Sequence, residues 1–446
     1  MAKATIVSVT PIRIRADSRS FKIAATIARF GYCSVVVEGE RSDLDEAHLP
    51  FRLRSLGRTL AADGIQVDAA KVLPNRNLVR TIRKAWMAIR DRLPLFLIFP
   101  FLLRYVKRDI ILPLYCIPKA SLYYVHGLSF FPAVSLLCTR YRASLIYDAH
   151  DFYGGMQSPA ETSRLSFSRR WIMAFYRHLE SRLVDKAAAV VTVSDGVAKL
   201  EERAFGCHPI VVRNCHDARL DQEPPMNLRQ VLGLSSDQFI LVALGNAKEG
   251  TAIQEALDAM EELPAHVHLV FVGRYFEPII KSIRSGHLEN RVHVVPPVKP
   301  FEVVPFIWSG NASIILYYPR SANYMSSLPN RFFQPLAAEL PLLYPELPEM
   351  KRIAEKYEIG IPIEPRSPVS IISGVTRLIT EPGLLERYQE NLRAAKQDLA
   401  WENEEHILKK LISAILDKGS ATPMALREKT IHNRRRCQHD KRWFTE

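Results

Sequence analysis

Two apolar runs in the second half of the chain give way to glycine. Phe239–Leu244 is followed by Gly245-Asn246-Ala247-Lys248-Glu249-Gly250 and a helical pattern, and His268–Val272 by Gly273-Arg274. Glycine at a strand end lets backbone N–H groups approach a ligand, and a helix N-terminus behind it favours a phosphate. Neither loop has the spacing of a G-x-G-x-x-G or P-loop motif, so a dinucleotide or ATP site is not indicated. Strand-to-helix turns also use glycine for geometry alone. In the first half, His126-Gly127 and His150-Asp151 each follow an apolar run. An imidazole so placed can exchange protons or hydrogen bonds with a substrate hydroxyl, or be an ordinary loop residue. Cys207-His208 and Cys215-His216 offer four zinc-type donors. The strand-like Ile210–Val212 between them holds the two pairs apart.

The elements that must position these residues alternate. Apolar, β-rich runs at Ala4–Val9, Cys33–Val37, Ser144–Tyr147, Val190–Val193 and Ile210–Val212 are separated by helical patterns, among them Ser20–Phe30 and a long one from about Ser166 to Asp185. Short apolar strands alternating with helices imply a parallel sheet covered on both faces. Residues 221–237 are polar and turn-rich and suit a linker. The pattern then restarts with Phe239–Leu244, a helix at Thr251–Leu263, His268–Val272, Val292–Val295, Ala312–Tyr317 and Leu340–Tyr344. Thr251 and Gln254 have capping-box spacing. The reading is α/β: an N-terminal Rossmann-like domain over 1–220, a linker over 221–237, and a second such domain over 238–403. A C-terminal helix over 404–417 and a basic, unpatterned tail over 418–446 complete the chain.

Composition narrows the class. The chain has 446 residues, 48% hydrophobic and 24% charged, which excludes a collagenous, wholly disordered or polytopic membrane protein. Six cysteines without a C-x-x-C pair suit a reducing compartment. The opening MAKATIVSVT reads as a strand and not as a secretory leader, so a cytoplasmic location is expected. The net charge of +13 is unevenly spread: +14 over 1–220, −6 over 221–417 and +5 over 418–446. The first half therefore expects an anionic partner, either an acidic membrane or a nucleic acid. No nucleic-acid motif accompanies the charge, so nucleic acid is not expected. In segment 83–119 the apolar run Leu93–Leu103 is too short to span a bilayer, and Pro94 and Pro100 interrupt it. Arg83, Lys84, Arg90, Arg92, Arg104, Lys107 and Arg108 rim it, with aromatics interspersed. That is the pattern of an interfacial membrane contact, and equally of a helix pair buried in a large α/β domain.

Ser326-Ser327-Leu328-Pro329-Asn330-Arg331-Phe332-Phe333-Gln334, running into Ala337-Ala338-Glu339-Leu340-Pro341, resembles the donor-site segment of family 4 retaining glycosyltransferases of GT-B fold. Asp17-x-Arg19 with Gly31-Tyr32 resembles that family's opening, and Tyr147-Asp148-Ala149-His150-Asp151 its Tyr-Asp-x-His-Glu strand end. Val191-Thr192-Val193-Ser194, Val211-Val212-Arg213-Asn214, Glu346-Leu347-Pro348-Glu349 and Ile359-Gly360-Ile361 follow in order. The resemblance implies two Rossmann-like domains facing a central cleft, with a nucleotide-sugar held by Gly245, Asn246, Lys248, Gly273, Arg274, Leu328, Pro329, Asn330, Arg331 and Gln334. It puts Asp17, Arg19 and Gly127 on the acceptor side and gives His126, His150 and Asp151 the catalytic positions. The diphosphate would meet the positive end of the helix starting near Pro329. Lys248, Arg274 and Arg331 would offset charge on the leaving group in place of a metal, and none is expected.

The resemblance is imperfect. Gln334 stands where the family has a glutamate that accepts from ribose hydroxyls, and offers one acceptor and a neutral donor. Ser326 replaces the other acid, Arg331 a lysine, Asn246 an arginine, Glu249 a lysine and Glu339 a glycine, and Pro335 is expected to distort its helix. The expectation is transfer of a sugar, with retention, from a nucleotide-diphosphate donor to a lipid-linked or glycan acceptor. It would act in polysaccharide or glycolipid synthesis, peripherally at the anionic inner face of the cell membrane. An inactive relative that binds nucleotide-sugar or membrane, and a nucleotide-sugar epimerase of the same fold, stand as alternatives.

Overall fold

The computed structural model describes residues 4–44, 46–56, 105–152, 167–285, 288–319 and 321–417. The apolar run Leu93–Leu103, most of its basic rim and the tail 418–446 lie outside them. No helix among the described residues is long and apolar enough to cross a membrane.

The first sheet has seven strands: β1 (Thr5–Thr10), β2 (Cys33–Glu38), β3 (Arg52–Ser55), β4 (Leu122–His126), β5 (Ser144–Ala149), β6 (Ala189–Thr192) and β7 (Ile210–Val211). The second has six: β8 (Phe239–Leu244), β9 (Val267–Val272), β10 (Val292–Val295), β11 (Ala312–Ile314), β12 (Leu342–Pro345) and β13 (Gly360–Ile363). The orders are β3-β2-β1-β4-β5-β6-β7 and β10-β9-β8-β11-β12-β13, with every pair parallel. Each is the doubly wound Rossmann order, whose strand order reverses beside the first strand. In such sheets ligands sit at the carboxyl ends of the strands flanking that reversal: β1 and β4 in one sheet, β8 and β11 in the other.

The strands are apolar on both faces because helices cover both. Strands β4 and β8 are buried along their whole length. Strand β3, with the sequence RLRS, could not be read as a strand from hydropathy: it pairs only with β2, and its two arginines are exposed. At the opposite edge of the second sheet, β13 carries Pro362, tolerable because an edge strand need not donate there.

The helices that matter below are α1 (Ser18–Arg29), α2 (Phe131–Tyr141), α3 (Phe167–Val184), α4 (Asp195–Phe205), α5 (Ile253–Glu262), α6 (Ala322–Ser326), α7 (Asn330–Ala337), α8 (Pro348–Tyr357), α9 (Pro368–Thr380), α10 (Leu384–Asp398) and α11 (Trp401–Asp417). Asp17 caps α1 by accepting from the Ser20 amide, and Ser194 caps α4 through Val197. The capping box expected at Thr251 does not form. Helix α5 starts later, behind Ala252, and the Thr251 hydroxyl donates to the Lys248 carbonyl at 2.6 Å. A capping box forms instead inside 221–237, where Asn227 and Gln230 cap a one-turn helix, Leu228–Leu232, that buries Leu228 in the second domain's core. Pro335 lies inside α7 without ending it, and the helix runs on to Ala337. Helix α11 returns to the first sheet: Trp401, Leu408 and Ile412 pack among Ile6, Ile23, Ile27 and Leu122.

Candidate functional site

The carboxyl ends of both sheets border one cleft of about 540 Å³. From the first domain it is lined by Asp17, Arg19, His150 and Asp151, and from the second by Lys248, Tyr317, Asn323, Tyr324 and the turn Ser327–Asn330 that opens α7.

The first wall is built around Asp148. Residues two apart on a strand share a face, so Asp148 of β5 and His150 just beyond it point the same way. Register adds His126, the last residue of β4, which pairs with Asp148. The Asp148 carboxylate is fully buried and accepts from Arg19 Nε at 3.0 Å and Nη2 at 2.9 Å. Its Oδ2 lies 2.9 Å from His126 Nδ1 and 3.1 Å from His150 Nε2. Burial alone would raise the Asp148 pKa, but Arg19 and the two histidines outweigh it and hold the carboxyl well below its usual range. For His126 burial dominates and depresses the pKa, despite Asp148. For His150 burial is outweighed by Asp148 and Asp17, and the pKa is raised. Asp17 is pulled up by burial but more strongly down by His150 and His126, with help from Ser20.

This arrangement corrects part of the sequence-based expectation. His126 does not reach the cleft: as the end of a central strand it is 1% exposed, behind His150, which is 28% exposed. Gly127 lies behind the wall too, with a φ of 75° and its N–H donated to the Asp148 carbonyl. Asp151 is tied across the cleft, accepting from Asn323 Nδ2 at 2.9 Å, while Asn323 Oδ1 accepts from the Phe152 amide.

On the second wall the two glycines make room for a cation. Gly245, with a φ of 115°, has the Arg331 guanidinium packed on it, and a Cβ there would lie 2.3 Å from Nη2. Gly273 packs against the Gly245 carbonyl, where a Cβ would lie at 2.1 Å. The guanidinium stacks 4.1 Å from the Tyr317 ring centroid, behind the cleft surface. Burial lowers the Arg331 pKa, and the nearby Tyr317 and Tyr324 rings act against that. Lys248 lines the cleft itself, 5.4 and 5.5 Å from the Tyr317 and Tyr324 rings. Asn246 accepts from the Arg274 amide and so ties the two glycine loops, leaving the Arg274 side chain exposed outside the cleft. Leu328, Pro329 and Asn330 line the cleft, and Pro329 is the N-cap of α7. Asn330 reaches Asn214 and, at 3.1 Å, the Ser18 hydroxyl. Gln334 lines a small void next to the cleft, with Lys22, and Ser18, Asn214 and Asn330 border both.

Asp148, Asn323, Tyr317 and Tyr324 were not among the site residues expected from sequence. The alternation that puts Asp148 beside His150 was a usable signal. Nothing local marks Asn323 or the two tyrosines: Tyr317 lies just after β11, and Asn323 and Tyr324 lie on the short helix α6.

His126, Asp148 and His150 bring three ligand-type atoms within 4.8 Å. Two imidazoles and a carboxylate can hold a transition metal. Here, though, Arg19 already binds the carboxylate bidentately, and a cation would stand against its guanidinium, so the donor set does not suit a resident metal. The four zinc-type donors at 207–216 are not brought together: His208 pairs with Glu202, His216 with Asp221, and Cys215 is buried near Glu404.

Paired doubly wound domains around such a cleft define the GT-B fold of the nucleotide-sugar glycosyltransferases. Residues 226–395 match the family model for group 1 glycosyl transferases, so the second domain carries that family's signature. Among solved structures, sucrose-phosphate synthase from Thermosynechococcus elongatus superposes with a TM-score of 0.64 at 14% identity, over 93% of this chain and 100% of that one. Anabaena HepE, solved with UDP and glucose, gives 0.62 at 14% identity over 92% and 100%. WaaG, a glycosyltransferase of lipopolysaccharide biosynthesis, gives 0.56 at 15% identity over 90% and 99%. No curated protein matches the sequence significantly.

Proposed function

We propose that the protein transfers a sugar, with retention, from a nucleotide-diphosphate donor to a lipid-linked or glycan acceptor. The observation that carries this reading is the single cleft at both topological switch points. One wall holds Lys248 and the N-terminus of α7, with Arg331 behind, and the other holds His150, Arg19 and Asp17. The first wall suits a diphosphate: fixed N–H dipoles and a lysine stabilise negative charge growing on the leaving group as the sugar C1–O bond breaks. The second offers hydrogen-bonding groups for the sugar and the incoming hydroxyl. A reaction independent of metal is part of the proposal, supported by these side-chain cations. HepE's structure with UDP and glucose supports a nucleotide-sugar as the donor class.

A membrane-bound acceptor is also proposed. It is supported by the +14 charge of residues 1–220 and by exposed Val106, Lys107, Arg108, Ile111 and Tyr115 at the end of the basic, apolar segment. The protein would sit peripherally on the inner face of the cell membrane and serve polysaccharide or glycolipid synthesis.

The test is a thermal-shift series with UDP, GDP, ADP and their sugar conjugates. Ligand at about 100 times its Kd adds about 2.7 kcal/mol to stability. One nucleotide should shift the melt selectively, and Lys248→Ala and Arg331→Ala should each weaken it by about tenfold, about 1.4 kcal/mol. Unchanged affinity in both variants overturns the donor assignment. Neutralising Arg104, Lys107 and Arg108 should reduce co-sedimentation with anionic vesicles; unchanged sedimentation removes the membrane contact. One observation favours a second reading, a binding module without transfer: Gln334 does not line the cleft. Donor binding without turnover on any membrane extract would select it.

A further inference from the structure

We propose that Asp148 is a positioning residue for His150: held by Arg19, its carboxylate fixes the His150 ring so that Nδ1–H is the donor offered to a ligand oxygen in the cleft. The inference rests on reading the cleft as a nucleotide-sugar site and names the group on the first wall that meets the donor.

Proton bookkeeping carries it. Asp148 receives Arg19 Nε and Nη2, His126 Nδ1 and His150 Nε2, all within 2.9 to 3.1 Å. An ionised carboxylate only accepts, so both imidazole nitrogens beside it carry hydrogen. The 3.3 Å approach of His126 Nδ1 to His150 Nε2 is then two donors converging on one oxygen. With its Nδ1 committed, His126 has only Nε2 left, and that atom is buried without a partner. A second proton there would be an unsatisfied buried charge, so His126 stays neutral. His150 differs because it lines the cleft, where Nδ1 can meet a ligand.

The groups facing His150 come from three elements: Asp17 and Arg19 at the start of α1, His126 on β4 and Asp148 on β5. Lys248, Asn323 and Tyr324 lie on the other wall. Burial disfavours its charged form, but Asp148 and Asp17 together outweigh burial and Arg19. An imidazolium that donates Nε2–H to Asp148 has its ring plane fixed and its Nδ1–H aimed. Arg19 adds rigidity, since Nη1 also donates to the Val212 carbonyl at 2.7 Å, holding the strand end that leads to Asn214.

The experiment is histidine-selective 15N NMR on the full chain, read from pH 5 to 9. In the unaltered protein His150 should titrate above the ordinary histidine value and His126 below it. Asp148→Asn should move the His150 midpoint down, shift the pH profile of turnover with it, and lower kcat by about 100-fold, the scale of a misplaced proton-transfer or donor group. Nucleotide affinity should stay within about threefold of the parent. Because Asp148→Asn leaves Arg19 buried without an anion and Arg19 itself opposes the charged His150, the substitution is also read in an Arg19→Met background, where the His150 midpoint should fall relative to Arg19→Met alone. A His150 midpoint at or below the ordinary histidine value in the parent, or one that Asp148→Asn leaves unmoved in the Arg19→Met background, overturns the proposal. Nucleotide binding with an unresponsive His150 defeats this inference alone. If no nucleotide binds but the His150 midpoint follows Asp148, the donor reading fails and the positioning stands.

Discussion

Gly245 and Arg331 illustrate how a single atom can shape a binding wall. A guanidinium lies where the Gly245 Cβ would be, and the φ of 115° is itself open only to glycine at low cost. Gly245→Ala should therefore displace Arg331 from Tyr317 and lose about 1–3 kcal/mol of stability through backbone strain. Nucleotide affinity should fall as far as it does in Arg331→Ala, and adding the two substitutions together should cost little more than either, which a double-mutant cycle by calorimetry measures. A second residue-scale prediction concerns Glu201 on α4, 1% exposed with both carboxylate oxygens unpartnered. Burial first, then Glu180 and Asp148, push its pKa to about 9, and burial pushes Glu180 to about 7, against the Tyr147 hydroxyl bond. Both are raised above their unfolded values, so the folded state binds more protons and stability falls as pH rises from about 4.5 toward 9. Lys22, lowered to about 7 chiefly by burial, works in the opposite sense above neutrality. Comparing Glu201→Gln with the parent isolates the glutamate: the decline in Tm between pH 6 and 9 should be shallower in the variant. An identical decline would mean that Glu201 is already ionised at pH 6.

At the scale of elements, the turn after α7 carries a residue in an expensive conformation. Glu339 has a φ of 59° where the related segment has glycine, and it is held by Arg393 and Lys396 of α10, both at 3.1 Å. The left-handed region costs a non-glycine residue roughly 1–2 kcal/mol, and exposed ion pairs return about 0–1. Glu339→Gly should leave the protein as stable or stabilise it by up to about 1 kcal/mol, read as a urea midpoint. A clear loss would show that the α7–α10 ion pairs matter more than the backbone. This position was legible in sequence as a departure, while its physical meaning required the backbone angle. Much of the remainder was legible because parallel strands buried on both faces read as apolar runs, as with β1, β2, β8 and β9. Strand β3 escaped because a charged edge strand has no such run, and β4 because it directly follows the long basic, apolar segment. The Asp148 cluster escaped for a different reason: strand register brings His126 beside Asp148 across 22 residues of sequence. Asn323, which ties the two walls together, sits on α6, a helix too short to show a periodic pattern in sequence.

For the whole molecule, the decisive feature is that α11 crosses back from the second domain to the first. Helix α11 follows the second domain but completes the core of the first, with Trp401 fully buried and its Nε1 donating to Thr26 at 2.8 Å. Its acids are pinned as well: Glu404 to Arg213, and Glu405 to Arg219 and Arg29. The two domains are thus fastened on one side by this return. Across the cleft they meet through smaller polar contacts, such as Ser194 to the Ser326 carbonyl and Asp195 to Arg352. A fixed side and a lightly bonded side would let such a cleft open and close around a ligand without unfolding either sheet. Trp401→Ala should therefore cost about 3–5 kcal/mol, the range for deleting a buried aromatic, and the cost should fall on the first domain. Calorimetry should show the nucleotide-insensitive transition moving down while the transition that nucleotide raises keeps its ligand response. If the nucleotide-responsive transition falls instead, α11 belongs energetically to the second domain, and the fastening runs through the cleft contacts.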